Sequence, residues 1–306
     1  MKKILFIYVR EYRHEWNHAL HTDWVDECGD DFEVRFWGPG FNSDLSRDGL
    51  IRTINLFKPD YIYGTIRDLY TGCDRGAYYI KEWLPSILGI GVRSIFVDCD
   101  THNHPATDNW YKQFSKLYCR QAIWDIKSRS AYDRVRVMNL ATWEKIPLFR
   151  WSVSKSRIIE NTNRHGIYFV GRTDGVLFRH REQMRKDLAG KVTFIPSSGA
   201  FCDVLNTDAY WEVLRNASAL ICPTESTFGD YVPAKIFEYA AAGAAILTNC
   251  DLRGYGMADL AEVVIPYTDL DDLKSKLSTD FTPYHNISCK VIANHTHQIR
   301  YKEIFQ

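Results

Sequence analysis

The sequence predicts an α/β chain of two similar halves, each an open parallel sheet covered by helices on both faces. Three observations predict it. Short apolar runs alternate with amphipathic stretches, the pattern restarts after a polar interval near the middle, and the 306 residues suit two domains of ordinary size. A strand buried on both faces shows no polar side, so near-continuous apolar strands between helices mean parallel pairing.

In the first half, strands are predicted over residues 4–9, 32–37, 61–64, 94–98, 121–124 and 135–139. Helices are predicted between them over 14–27, 44–57, 77–88 and 109–117. Pro39-Gly40 and Lys58-Pro59-Asp60 punctuate these units as turns. After a polar stretch over 152–165, strands are expected at 166–171, 191–195, 219–222, 245–248 and 263–266. Helices are expected at 177–188, 209–216, 234–242, 270–276 and 287–304. The division follows as a first domain over 1–155, a second over 156–285 and a closing helix over 286–306.

Composition narrows the class. Hydrophobic residues make up 45%, charged residues 25%, and the formal net charge is zero, the balance of a soluble globular protein. No apolar run approaches the ~18 residues of a membrane span. Lys2-Lys3 followed by the run 4–9 mimics a leader, but Arg10-Glu11 ends it early, and it reads as a buried strand. The eight cysteines include no C-x-x-C, so a reducing, cytoplasmic setting is expected. Charge is uneven: Lys112 to Arg157 holds eleven Lys/Arg against three acids. That segment reads either as a solvated helical face or as a patch for an anionic partner such as DNA.

Neither half carries G-x-G-x-x-G or a P-loop, which argues against a dinucleotide dehydrogenase. Open parallel sheets bind ligands beyond the carboxyl ends of their strands, and two facing sheets would enclose a cleft. The most informative stretch runs from Cys222 to Thr248. A buried strand ends at Cys222, a polar loop follows, and Pro233 sits where a first helical turn tolerates its missing N–H. Lys235 lies just inside a helix N-terminus, a ready site for phosphate. Glu238, one turn on along the same face, is placed to take the hydroxyls of a ribose. The helix ends at Gly243.

The segment V-P-A-K-I-F-E-Y-A-A-A-G-A-A-I-L-T, from Val232 to Thr248, resembles the donor-site signature of GT-B glycosyltransferases of the group 1 type, written P-x-K-x-x-E-x-x-A-x-G. Among these it is most similar to the CgeB-like branch. Ile167-Tyr-Phe-Val-Gly-Arg172 and His295-Thr-His-Gln-Ile-Arg300 resemble the start and the closing helix of that family's nucleotide-binding domain. The likeness covers residues 166 to 306; the first half shares only the strand–helix rhythm. It implies two Rossmann-like domains with sheets facing a central cleft, Glu238 on the ribose, Lys235 near the diphosphate, and Arg172 reaching it from the Gly171 turn. The family's pair of acids eight positions apart would be Asp230 and Glu238; Asp230 departs from the usual Glu, and Glu225 could substitute for it.

A second constellation, Asp98-Cys-Asp100-Thr-His102-Asn-His104, follows a first-half strand. A histidine beside a carboxylate suits a general base, so one of Asp98, Asp100, His102 or His104 is expected to handle the acceptor proton. Their D-x-D spacing belongs to a different glycosyltransferase fold, and no metal is expected. Arg10, Arg13 and His14, after the first strand, are expected to line the acceptor side. The resulting expectation is a hexosyl- or pentosyltransferase, retaining by resemblance and metal-independent. It would use a nucleotide sugar such as a UDP-sugar as co-substrate and no other cofactor. The acceptor stays open among a glycan, a protein, a lipid and a modified nucleic-acid base. The alternatives are a non-catalytic nucleotide-sugar-binding protein and a sugar-nucleotide epimerase of similar architecture.

Overall fold

The computed structural model describes residues 1–7, 27, 30–38, 40–65, 87, 89–98, 116–119, 151–171, 173, 179–195, 207–224 and 232–305. They form two compact units, one containing the described residues up to 119 together with Phe305, the other running from Trp151 to Ile304.

The first unit carries β1 (Lys2–Ile7), β2 (Phe32–Trp37), α1 (Arg47–Phe57), β3 (Tyr61–Thr65), β4 (Arg93–Asp98) and β5 (Lys116–Cys119). Its sheet has the order β2-β1-β3-β4-β5, with every pairing parallel. Ile4, Leu5, Phe6 and Ile7 are all buried, as a strand covered on both faces requires. Ser46 caps α1 by accepting from the Gly49 N–H, and Lys58 ends it in a left-handed conformation before Pro59. Phe305 is part of this core, its ring centroid 5.8 Å from Phe32, 5.2 Å from Tyr61 and 5.4 Å from Tyr63. The Lys2 ammonium donates to the Phe305 carbonyl.

The second unit carries β6 (His165–Val170), α2 (Arg179–Asp187), β7 (Thr193–Ile195), α3 (Thr207–Asn216), β8 (Ala217–Cys222), α4 (Ala234–Ala242), β9 (Ala245–Thr248), α5 (Ala258–Ala261), β10 (Ile265–Pro266), α6 (Leu270–Lys276), α7 (Ile287–Ile292) and α8 (His297–Phe305). Its order is β10-β9-β8-β6-β7, again parallel throughout. Both sheets therefore share one order: the second strand flanks the first on one side, and the later strands follow on the other. The reversal falls between β1 and β3 in one unit and between β6 and β8 in the other. Among the described residues no helix is long and apolar enough to cross a membrane.

Two sequence expectations are corrected. Lys116 and Leu117 were expected to end a helix, yet they open β5, which pairs with β4 from Ile95↔Lys116 to Asp98↔Cys119. Open backbone groups on the β4 edge outweigh weak helical periodicity there. The single closing helix over 287–304 is broken. Thr296 is extended (φ −78°, ψ 161°) and forms a bridge with Val153. Val153 N–H donates to His295 O at 3.1 Å and His297 N–H to Val153 O at 3.0 Å, replacing helical bonds with tertiary ones. The strands expected at 121–124 and 135–139, and most of the helices at 14–27 and 77–88, lie outside the described residues.

Candidate functional site

The element that positions the site is α4. From Ile236 to Ala242 it is buried on every side, so it reads as apolar all round rather than as a surface stripe. Gly243 closes it at φ 71°, and a Cβ there would lie 2.6 Å from Asn286 Oδ1 and 2.8 Å from Arg164 Nη2. The helix's last three carbonyls each accept a hydrogen bond. Ser288 Oγ donates to Ala240 O at 3.0 Å, Ile159 N–H to Ala241 O at 3.2 Å and Arg164 Nη2 to Ala242 O at 2.6 Å. At the other end the Trp151 indole N–H donates to Val232 O at 3.0 Å, fixing where the chain enters the helix. Pro233 is the N-cap and supplies no side-chain bond to the first turn.

Lys235 projects from that first turn to the carboxyl end of β6, where its ammonium donates to the Val170 carbonyl. The next residue is Gly171, whose N–H donates to Ile195 O at 3.0 Å. A Cβ on Gly171 would stand 3.0 Å from the Lys235 ammonium and 3.1 Å from the Phe169 ring, so a larger residue would crowd the lysine at this turn. Burial, and secondarily the charge of Arg181, pushes the Lys235 pKa down to about 8; the Glu238 carboxylate acts in the opposite direction. Arg181, in the first turn of α2, lies over the Phe169 ring at 5.9 Å. Two cations thus converge at the end of β6, beside the reversal of strand order.

Glu238 is 2% exposed. Its Oε2 accepts from the Tyr210 hydroxyl of α3 at 2.5 Å. Burial, then the charge of Glu238, holds the Tyr210 pKa well above the ordinary phenol value, so the hydroxyl keeps its proton and donates. Cys222, at the end of β8, is buried and its thiol is pushed up to about 12, which makes it a small inert side chain. Asn249 Oδ1 accepts from the Thr224 N–H at 2.7 Å and from its hydroxyl at 3.0 Å, tying the end of β8 to the end of β9.

The structure brings Gly171, Lys235 and Glu238 into one region at the carboxyl edge of the second sheet. Arg172, Glu225 and Asp230 lie outside the described residues, as do Asp100, His102, His104, Arg10, Arg13 and His14. Asp98 is the last residue of β4. Of the bases in that segment, Lys116, Lys155 and Arg157 are among the described residues; the Arg157 guanidinium lies 5.3 Å over the Trp211 ring and 3.9 Å from Asp208. Sequence reasoning missed Tyr210 and Arg181. Tyr210 lies 28 residues from its partner, beyond any local spacing. Arg181 could have been found as the second arginine of Arg179-His-Arg181, about ten positions after Gly171 in the sequence.

No family model matches this chain, and no curated protein matches it either. Among solved structures it is similar to AviGT4, a glycosyltransferase involved in avilamycin A biosynthesis, at 13% identity and a TM-score of 0.57, covering 99% of this chain and 96% of that one. It is similar also to sucrose-phosphate synthase from Thermosynechococcus elongatus, at 9% identity and a TM-score of 0.57, covering 100% and 98%. The chain shares the GT-B fold of these proteins.

Proposed function

We propose that this chain is a nucleotide-sugar-dependent glycosyltransferase whose second half holds the nucleoside diphosphate. One observation carries the reading. The Lys235 ammonium sits at the carboxyl end of β6, at the reversal of strand order, where open α/β sheets bind their ligands. Among the described residues it donates only to Val170 O, and an ammonium has three donors. A diphosphate would take the others, and its charge would raise the lysine pKa again. In the transfer, the bond from the sugar to the diphosphate breaks, and the acceptor hydroxyl bonds to the sugar as it loses its proton. Negative charge grows on the leaving diphosphate, and Lys235 with Arg181 offsets it in place. Glu238 takes the nucleoside's sugar. A UDP-sugar is the first donor to test. On the acceptor side the proposal keeps Asp98, Asp100, His102 and His104 as the group that holds the general base.

Nucleotide binding tests this directly. UDP should raise the melting temperature through mass action. Glu238→Ala should abolish most of that rise, measured over the variant's own unliganded melting temperature, since it also leaves the buried Tyr210 hydroxyl without its acceptor. A variant that binds every nucleoside diphosphate as tightly as wild type would remove the assignment.

A further inference from the structure

We infer that the Tyr210–Glu238 hydrogen bond makes the site indifferent to the 2′-position of its nucleotide, so that 2′-deoxyribose is accepted nearly as well as ribose. The inference rests on the donor-site reading above. A carboxylate that grips a ribose with both oxygens commits one to each hydroxyl. Such a site rejects the deoxy analogue strongly, because a buried oxygen is then left unpaired. Here Oε2 already accepts the Tyr210 hydroxyl at 2.5 Å. Loss of the 2′-hydroxyl therefore leaves nothing unpaired at that oxygen, and the site gives up its main means of discrimination.

The bond is also well protected. Glu238 is 2% exposed and belongs to a helix buried on all sides over this stretch. Tyr210 comes from a different helix, α3, so the pair is set by the packing of two elements and not by one flexible side chain. Desolvation strengthens a charge-assisted bond of this kind. A 2′-hydroxyl at Oε2 would share an oxygen that already holds a donor at short range, so its loss removes a second bond and leaves the first in place.

Titration calorimetry on the full chain, with UDP against 2′-deoxy-UDP and GDP against 2′-deoxy-GDP, measures the effect as a ratio of dissociation constants. For the base that binds, the wild-type ratio should stay below about five-fold, less than a lost hydrogen bond to a charged group would cost. Tyr210→Phe frees Oε2 for the ligand and should move the ratio at least about ten-fold toward ribose. A purely structural role for Tyr210 would weaken both nucleotides equally and leave the ratio unchanged, which overturns the inference. So does a wild-type ratio of five-fold or more, a measurement that needs no variant to fold. Glu238→Ala separates the two levels. If it binds as wild type does, or if wild type binds none of the four nucleotides, the donor-site reading falls and this inference with it. If Glu238→Ala loses binding while Tyr210→Phe leaves the ratio in place, only the inference falls.

Discussion

At the C-terminal end of α4 the guanidinium of Arg164 donates to Asn161 O, Arg215 O, Ala217 O, Ala242 O and Asn286 Oδ1, at 2.6 to 3.2 Å. All five of its N–H groups are used, and they satisfy the ends of two helices, α3 and α4. At the N-terminal end of the same helix the Lys235 ammonium donates to one carbonyl, Val170 O, among the described residues. Burial lowers the pKa of both cations. What separates them is saturation. A cation whose donors all end on oxygens of the fold is scaffold; one that donates to a single carbonyl among the described residues, with a second cation repelling it, is poised for an anion from outside.

This contrast can be broken, and the largest effect should come from the saturated end. Arg164→Ala should lower unfolding stability by about 3 kcal/mol, since several carbonyls at helix ends lose their partners. Denaturant titration reads this. Where the variant is folded, nucleotide affinity should match wild type; a change in affinity without loss of stability would reverse the comparison.

Next in size is Lys235→Met. Turnover with the productive donor should drop more than ~10²-fold if the ammonium meets developing charge. Stability should hold or rise slightly, because a desolvated charge has been replaced by an apolar chain of similar length. Loss of stability with intact turnover would place Lys235 with the scaffold.

The pH dependence sharpens the same point. With a pKa of about 8, Lys235 loses its charge as pH rises through 8, so nucleoside diphosphate affinity should fall by up to ~10-fold per unit above it. The effect on folding has the opposite sign. Above pH 8 the unfolded chain holds a proton that the folded chain has released, so stability gains as pH climbs from 8 toward the ordinary lysine value. Arg164 remains charged across this range and contributes no such slope. Calorimetry at pH 7 and pH 9 compares the two.

The smallest effect is expected from Gly171→Ala. Its Cβ would press on the end of a flexible lysine and on the Phe169 ring, and the φ of 156° is one that residues with a Cβ seldom adopt. A few-fold loss of nucleotide affinity should follow, alongside about 1 kcal/mol of stability. Wild-type affinity in this variant would mean that the lysine does not need the close approach.

Much of α4 was legible in the sequence because its signals are local. Pro233, Lys235, Glu238 and Gly243 stand at fixed offsets along one helix, and the observed helix has the predicted bounds. The doubly wound order was legible in kind, from buried strands alternating with helices. The partners were not. The one-turn spacing placed Glu238 near Lys235 on one face, and the carboxylate does act on the lysine, but it did not show that the lysine bonds to Val170 and the carboxylate to Tyr210. Those bonds depend on how β6 and α3 pack against α4, which no spacing within the helix encodes. Thr296 failed for the same reason, since its extended conformation is maintained by Val153, far away in the chain.

Phe305 has a consequence for the order in which this protein can be made. Its ring completes the aromatic cluster of Phe32, Tyr61 and Tyr63, and its carbonyl is bound by Lys2 across 303 positions of chain. The early strands leave the ribosome well before that ring exists. Until it does, those three aromatic side chains lack one wall of their packing, and the long loop that must close is among the slowest contacts a chain can form. The packing of the first unit is therefore completed only once Phe305 has been made, although its strands are synthesised first. During translation its unfinished apolar face is the surface on which a chaperone would act.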